Sequence, residues 1–406
     1  MSNNMIEYIS YILFFTTLII FFIYIYIRLK YGFWAVQPVY HIYDLFYMFK
    51  PPGIICSALP EKNKYTNFKN IETIVSTELS KLKETRLVNF IRSNYLQNKD
   101  NVFSPQTENI IPYFVGHNAK TFISFYNEDN LMMDVKTNTL ISDKKIIGVM
   151  TTRPIHIVIN NDNTNTKDAA FDAYYVDYLC VDKMYRKKGI APQIIQTHEY
   201  NQRHLNKNIV VSLFKREDEL TGIVPLCVYS TYGFSVDKWT KPTELHPSYK
   251  LLEINPQNFH FLFDFIKNNN KQFDIVINTE VTNMIELIKT KNIFIYAILL
   301  NDEIICAYFF RKTCTFVEKN MEVLTCFASI KDCDDNIFVQ GFKISFWKIA
   351  AENYFGFAAI EEISHNNIII ENLKIKTRPL IVSPTAYFFY NFAYPTFCSE
   401  KALIIN

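Results

Sequence analysis

Glycine is scarce in this chain, nine residues of 406, where globular proteins use about 7%. A glycine kept in a turn therefore carries more weight here than elsewhere. Eight cysteines (56, 180, 227, 306, 314, 326, 333 and 398) form no CxxC pair, and none stands at zinc spacing from a histidine. They read as reduced, mostly buried thiols of a cytosolic compartment, and no metal site is expected. HExxH, GxSxG and P-loop motifs are missing, so metalloprotease, serine hydrolase and NTPase readings have nothing behind them. No long basic run occurs, and 42 Lys and Arg against 40 Asp and Glu leave a formal charge of +2. That balance lacks the footprint of a nucleic-acid binder.

Charge is missing altogether from Tyr8 to Ile27, a run of Ile, Phe, Leu and Tyr. As a helix this stretch spans about 30 Å, enough to cross a bilayer. A cleaved signal would need a basic start and a small-residue cleavage site, and neither is present. Glu7 precedes the run; Arg28 and Lys30 follow it. The positive-inside rule then puts everything after residue 28 on the cytoplasmic side of a single-pass membrane protein. The other reading is a helix buried in a core, which an all-round apolar surface also permits.

What the chain does have is Asp177-Tyr178-Leu179-Cys180-Val181-Asp182-Lys183-Met184-Tyr185-Arg186-Lys187-Lys188-Gly189-Ile190-Ala191-Pro192. It reads as a strand entering a basic turn that opens a helix. The turn's N–H groups and the helix's positive end make a seat for a pyrophosphate. Arg186, Lys187 and Lys188 suit the same anion, and Gly189 lets the backbone approach it. A plain surface turn carrying three cations is the alternative. Arg186-x-x-Gly189-x-Ala191 after a strand resembles the acyl-CoA loop of the GNAT acyltransferase superfamily.

Apolar periodicity predicts a helix near Ile71–Asn98, then strands near Ala119–Phe125, Ile146–Thr152 and Ile155–Asn160. A polar loop follows over Asn160–Asp168, then a strand at Ala173–Val181, a helix at Ile190–His204 and a strand at Ile209–Phe214. A short helix is predicted to end near Gly233-Phe234. In the second half, Phe259–Asn268 and Val281–Lys289 read as helices and Ile293–Asn301 with Ile304–Lys312 as a hairpin. Met321–Ile330 reads as a strand, Phe342–Asn353 as a helix and Tyr354–Ile360 as a strand. The hairpins FISFYNEDN…KKIIGVMTT and FIYAILLNDEIICAYFF share an outline, but only the first leads to a basic Gly-x-Ala loop. Two related halves are expected, the first holding the cofactor; two hairpins can also look alike by chance.

Three separated blocks in register resemble N-myristoyltransferase, the enzyme family that acylates N-terminal glycines. They are Phe33-Trp34-Ala35-Val36-Gln37-Pro38-Val39, then Tyr178-Leu179-Cys180-Val181 through Pro192. The last is Tyr387-Phe388-Phe389-Tyr390-Asn391-Phe392 with Lys401-Ala402-Leu403-Ile404-Ile405-Asn406. The resemblance covers roughly residues 31–406. It implies an α/β (α+β) fold, with two pseudo-symmetric GNAT-like halves around a saddle-shaped mixed sheet, after the anchor at 8–27. Residues 31–235 would bind acyl-CoA; 236–406 would form most of the peptide groove. The implied activity moves a myristoyl group from myristoyl-CoA, a co-substrate and not a resident cofactor, to the glycine amine of peptides or proteins.

The family's site carries over as follows. The N–H groups of Tyr178 and Leu179 would form an oxyanion hole, worth several kcal/mol of barrier. Leu179, Cys180 and Val181 would hold the acyl-CoA together with Arg186, Lys187, Lys188, Gly189, Ile190, Ala191 and Pro192. Phe33 and Trp34 would lie over it, with Tyr31 and Gly32 closing the thioester end; as isolated aromatics, Phe33 and Trp34 also suit a membrane interface. Ala402–Asn406 is apolar almost to its last residue, so the chain end should pack inside the protein. The family's base is the terminal carboxylate, here that of Asn406, taking a proton from an ammonium whose pKa is about 8. A buried but purely structural end is the alternative.

The sequence also departs from the family. Asp182 stands where a histidine is usual, Gly32 where a lysine is, and Ile381-Val382-Ser383 where Gly-Asp-Gly is. Most such changes fall on the peptide groove. A GNAT-type N-acetyltransferase using acetyl-CoA, and a catalytically weak acyl-CoA-binding membrane protein, are the competing readings.

Overall fold

A thirty-residue helix opens the chain: α1, Ser2–Tyr31, and no residue from Glu7 to Tyr31 is buried. From Glu7 to Tyr31 it is long and apolar enough to cross a membrane, with none of its most apolar window packed inside the protein. That excludes the core-helix alternative. The structure, a computed structural model, describes residues 2–96, 101–133, 140–160, 169–217, 222–237, 239–317 and 321–406.

After α1 come α2 (Leu45–Phe49), β1 (Gly53–Ile54), β2 (Ile71–Val75), α3 (Lys81–Asn94), β3 (Val102–Phe103), α4 (Thr107–Ile110) and β4 (Phe122–Met133). The long strands β5 (Leu140–Ile159) and β6 (Ala169–Val181) lead to α5 (Ile190–Leu205), β7 (Val211–Glu217) and β8 (Cys227–Ser235). The second half holds β9 (Tyr249–Glu253), α6 (Phe259–Asn269), β10 (Ile275–Asn278), α7 (Val281–Lys289), β11 (Ile293–Leu300), β12 (Glu303–Val317) and β13 (Met321–Lys331). Then follow α8 (Asp335–Asn353), β14 (Phe355–Glu361), α9 (Asn366–Lys376), β15 (Ile381–Tyr390), β16 (Phe392–Ala393) and β17 (Ala402–Ile405).

Two expected elements come out differently. Instead of helix from residue 71, Ile71–Val75 is a strand antiparallel to β4. Its Ile-Glu-Thr-Ile-Val run is β-branched, which costs a helix χ1 freedom and suits a pleated surface. The helix waits for Ser80, whose hydroxyl accepts the Lys83 N–H at 3.3 Å as an N-cap. Its expected end, residues 97 and 98, lies outside the described residues, as does most of the polar loop (161–168). The short helix expected to end near Gly233 is instead strand β8, held between β15 and β14. Its alternating Tyr and β-branched residues fit that central position.

One mixed sheet runs through the described residues in the order β17-β10-β5-β6-β7-β15-β8-β14-β13-β12-β11-β9, with β4 and β2 beside β5 and β3 on β12. The internal repeat is legible in it. Antiparallel β4-β5-β6, then α5, return to a parallel β7; antiparallel β11-β12-β13, then α8, return to a parallel β14. The halves interlace, because β15 sits between β7 and β8 and the β10–β17 pair borders β5. Sheet faces are covered by α3, whose Leu87, Val88 and Ile91 meet Val149 and Cys180, and by α5, whose Ile190, Ile194 and Ile195 meet Met150 and Val181. Cys180 and Val181 thus face opposite helices, as successive strand residues must.

Candidate active site

The sheet opens at its centre. β6 and β7 pair in parallel only from Ala173↔Val211 to Val176↔Phe214. Beyond Val176 the edge of β6 leaves β7, while β7 stays with β15 through Glu217. On its other side β6 keeps β5 but shifts register between Met150 and Thr152. Asp177 and Tyr178 thereby oppose one residue, Thr151: a bulge that re-aims side chains and backbone donors.

A largely apolar cavity of about 430 Å³ fills the gap, walled by Trp34, Met150, Leu179, Ile195, Phe214 and Tyr390, with Glu199 and Arg216 also at its wall. On the far side lies a more polar groove of about 360 Å³, reached by Arg153, Tyr178, Arg311, Glu361 and Ser383. Tyr95, Leu96, Tyr175, Asp177, Lys215 and Glu217 border both spaces, so the two meet at the break in the sheet. Strand alternation sends Leu179 to the cavity and Tyr178 to the groove.

Trp34 takes its place in the cavity wall by stacking on Phe214, centroids 5.8 Å apart, while Phe33 packs edge-on against it at 5.2 Å. Both aromatics are thus committed to the protein and not to a membrane interface. Tyr31 lies against Tyr43, 5.8 Å away, and against Gly222, where a Cβ would meet its ring at 2.2 Å. Gly32 has a left-handed φ of +51° with no heavy atom within 4 Å of a Cβ there. Neither residue borders the cavity.

The basic turn follows directly on β6. Asp182 caps it, accepting the Met184 N–H at 2.9 Å, and Lys145 pairs with Asp182 at 3.3 Å. Lys187 and Gly189 take left-handed φ of 65° and 76°, the second of which opens α5 without a capping side chain. The first N–H groups of α5 are therefore left to an outside acceptor. Arg186 is spent differently: its guanidinium donates to the carbonyls of Val181 (3.2 Å) and Asn94 (2.8 Å), bracing the turn against α3. Lys187 and Lys188 are exposed, Lys188 lying 4.9 Å over the Tyr185 ring. Ile190 is buried beneath them; Ala191 is half-buried beside it and Pro192 fills the helix's first turn.

Of the two N–H groups expected to face an oxyanion, one is already engaged. The Tyr178 N–H already donates to the Thr151 hydroxyl at 3.1 Å. Cys180 is buried in apolar surroundings that push its thiol up to about 12, which disqualifies it as a nucleophile near neutrality.

The chain end is buried, with Asn406 1% exposed. β17 lies parallel to β10, the Ile405 carbonyl accepts the Thr279 N–H at 3.1 Å, and Arg311 donates to the main-chain oxygen of Asn406. Thr279 also receives the Arg153 guanidinium at 3.3 Å. The Arg153 Nε in turn holds both Asp177 oxygens, at 2.9 and 3.2 Å. A continuous buried network therefore links the terminal strand to the bulge. Burial raises Asp177 above the usual carboxylate range against the pull of Arg153 and Arg311. Deeper in the groove Glu361 accepts from Tyr229 at 2.5 Å and pairs with Lys215 at 3.0 Å.

Sequence reading missed Asp177 in this role, together with Arg153, Lys215, Arg311 and Glu361. Single charges inside apolar strands were the available signal; the partners that satisfy them lie 24 to 146 residues away.

Comparison with known proteins now bears on this geometry. Residues 62–227 match the family model of myristoyl-CoA:protein N-myristoyltransferase, N-terminal domain. That stretch, from before β2 to the start of β8, is similar to this family's N-terminal domain. Crystal structures of Saccharomyces cerevisiae N-myristoyltransferase with bound myristoyl-CoA have the same fold: one gives a TM-score of 0.68 at 12% identity, covering 91% of this chain and 90% of that one. Another gives 0.67 at 13% identity, covering 91% and 94%. A tandem GNAT protein from the clavulanic acid biosynthesis pathway aligns at 0.50 and 8% identity, over 80% of this chain and 100% of its own. Sequence comparison with curated proteins gives no match. At such identities the fold is what is shared; which side chains act must be argued from this chain.

Proposed function

We propose that this N-myristoyltransferase-type chain transfers a myristoyl group from myristoyl-CoA to the N-terminal glycine amine of peptides, by direct attack. The observation that carries it is the apolar cavity meeting a charged groove at one break in the sheet. An acyl chain on one side and an amine on the other can touch only there, which is the proximity an acyl transfer needs. The CoA pyrophosphate sits on the Lys187–Gly189 turn and the start of α5. The acyl chain enters past Trp34, and the thioester carbonyl lies beside the Tyr178–Leu179 backbone. Leu179, Cys180 and Val181 act through backbone position and packing.

Asn406 supplies the base through its terminal carboxylate. Held by Arg311, it draws in the ammonium as well as taking its proton. For Tyr178 to serve the oxyanion, its N–H must trade the Thr151 hydroxyl for the developing charge. α1 anchors the enzyme as a single span, with residues after Arg28 on the cytoplasmic side.

The full chain in detergent, given radiolabelled myristoyl-CoA and a peptide beginning with glycine, should label the peptide at its amine. The same peptide with a blocked amine should stay unlabelled. One residue added after Asn406 should abolish transfer while leaving acyl-CoA binding intact. Equal activity with and without the extra residue would overturn the carboxylate's role. Transfer from acetyl-CoA as fast as from myristoyl-CoA would overturn the long-chain reading, which the 430 Å³ apolar space supports.

A further inference from the structure

Five large apolar side chains beyond α1 stand mostly in solvent. Ile42 is 54% exposed, Leu45 65%, Phe46 71%, Met48 63% and Phe49 89%. They crowd onto α2 and the turn before it, and single exposed apolar residues need no explanation whereas a contiguous set does. The short helix is not loose. Its Tyr47 turns inward onto the buried Tyr40, centroids 5.7 Å apart. Asp44 at its start accepts the His41 N–H at 2.9 Å and pairs with the His41 ring at 3.0 Å. The other ring nitrogen of His41 lies 2.8 Å from the Trp34 carbonyl oxygen, so α2 is tied to the cavity wall. Pro51-Pro52 follows α2, and a residue before proline is driven out of the α region, so the helix stops after one turn.

The position of α2 says what covers it. α1 ends at Tyr31, whose ring packs on Tyr43, two residues before α2 begins. The helix that crosses the bilayer therefore emerges directly beside the exposed set. Arg28, Lys30 and Lys50 flank it, the arrangement that draws a segment onto anionic lipid.

We infer that Ile42 and the outward face of α2 form a second membrane contact, lying in the headgroup boundary of the same bilayer that α1 spans. The inference rests on reading α1 as the anchor. It holds the catalytic body down against the lipid surface, with Trp34 and the mouth of the acyl cavity tethered through His41 to the immersed segment. Long-chain acyl-CoA partitions into that same boundary. A short one-turn helix with apolar residues on every side but one suits an interfacial position and would be a liability in water.

Nitroxide labels on the full chain in phosphatidylcholine–phosphatidylserine nanodiscs test it, in a background with the exposed Cys56 and Cys398 replaced by serine. Labels are placed by Phe46→Cys, by Phe49→Cys, by Phe15→Cys within α1 and by Tyr354→Cys, a residue 89% exposed at the far end of α8. The expected result is a several-fold higher ratio of oxygen to aqueous-nickel collisions at 46 and 49 than at 354, approaching that at 15. Labels at 46 and 49 as wet as at 354, with 15 still deep, overturn the second contact and leave the anchor standing. A wet label at 15 overturns the anchor and the inference with it. Spin–spin broadening at 46 and 49, with shielding from both colliders, would mean a second copy covers the patch and would overturn the lipid assignment.

Discussion

Asp177 is a residue at which the two spaces meet. It borders both spaces, is held by Arg153, and stands one position before the bulged Tyr178. An incoming ammonium leaving the groove would pass this carboxylate. Asp177→Asn keeps the shape and removes the charge. It should raise the peptide KM about tenfold, equivalent to about 1.4 kcal/mol, with the acyl-CoA KM unchanged; steady-state kinetics with each substrate varied decide it. Gly189 belongs to the turn proposed for the opposite substrate. Its φ of 76° lies in the left-handed region, with no heavy atom within 4 Å of a Cβ, so Gly189→Val costs about 1–2 kcal/mol of backbone strain and not a clash. The expected result is a raised acyl-CoA KM with the peptide KM unmoved.

At the scale of elements, the helices are fitted to the sheet at points where no side chain is tolerated. On α8, a Cβ at Gly341 would stand 2.5 Å from the Tyr308 hydroxyl and 2.8 Å from Ile298. That hydroxyl donates to the Phe338 carbonyl at 2.5 Å. Gly341→Ala should therefore cost about 1–3 kcal/mol by overpacking, read as a lower urea midpoint. Helix α5 carries a pH-sensitive contact. His198 is sealed against β4 and β5, its ring nitrogens 2.8 Å from the Ser124 hydroxyl and 2.9 Å from that of Thr152. Burial pushes the imidazole down to about 4, the nearby Gln202 opposing. A folded pKa below the unfolded value near 6.5 means the unfolded chain binds the extra proton. The contribution of neutral His198 is complete above pH 6.5 and is lost as pH falls toward 4, by up to about 1.4 kcal/mol per pH unit. Unfolding free energy measured against pH should thus fall less steeply between 6.5 and 4 for His198→Gln than for the parent.

At the scale of the whole molecule the repeat does not make two separable bodies. Because β15 lies between β7 and β8, and the β10–β17 pair borders β5, each half lacks strands the other supplies. Fragments 1–235 and 236–406 should each fail to fold when made alone, as circular dichroism and proteolysis would show; a compact, protease-resistant fragment would contradict the interlacing. The sequence by itself determined whatever depends on neighbours along the chain. The uncharged run of α1 is such a case, as are the period-two strands around the hairpins and the Arg186–Ala191 turn with its glycine. An apolar tail that had to be buried belongs with them, since strand alternation, helix length and left-handed turns are local properties. Two local readings failed, at 71–75 and 227–235, where pairing with β4 and with β14 and β15 outweighed weak helical spacing. Only the tertiary structure decided where β6 parts from β7, which charges meet across that gap, and that Arg186 braces the turn while Arg311 holds the chain end. Those are contacts between residues far apart in the chain. A buried charge announces that it needs a partner, but its own stretch of sequence does not say which residue the fold will bring to it.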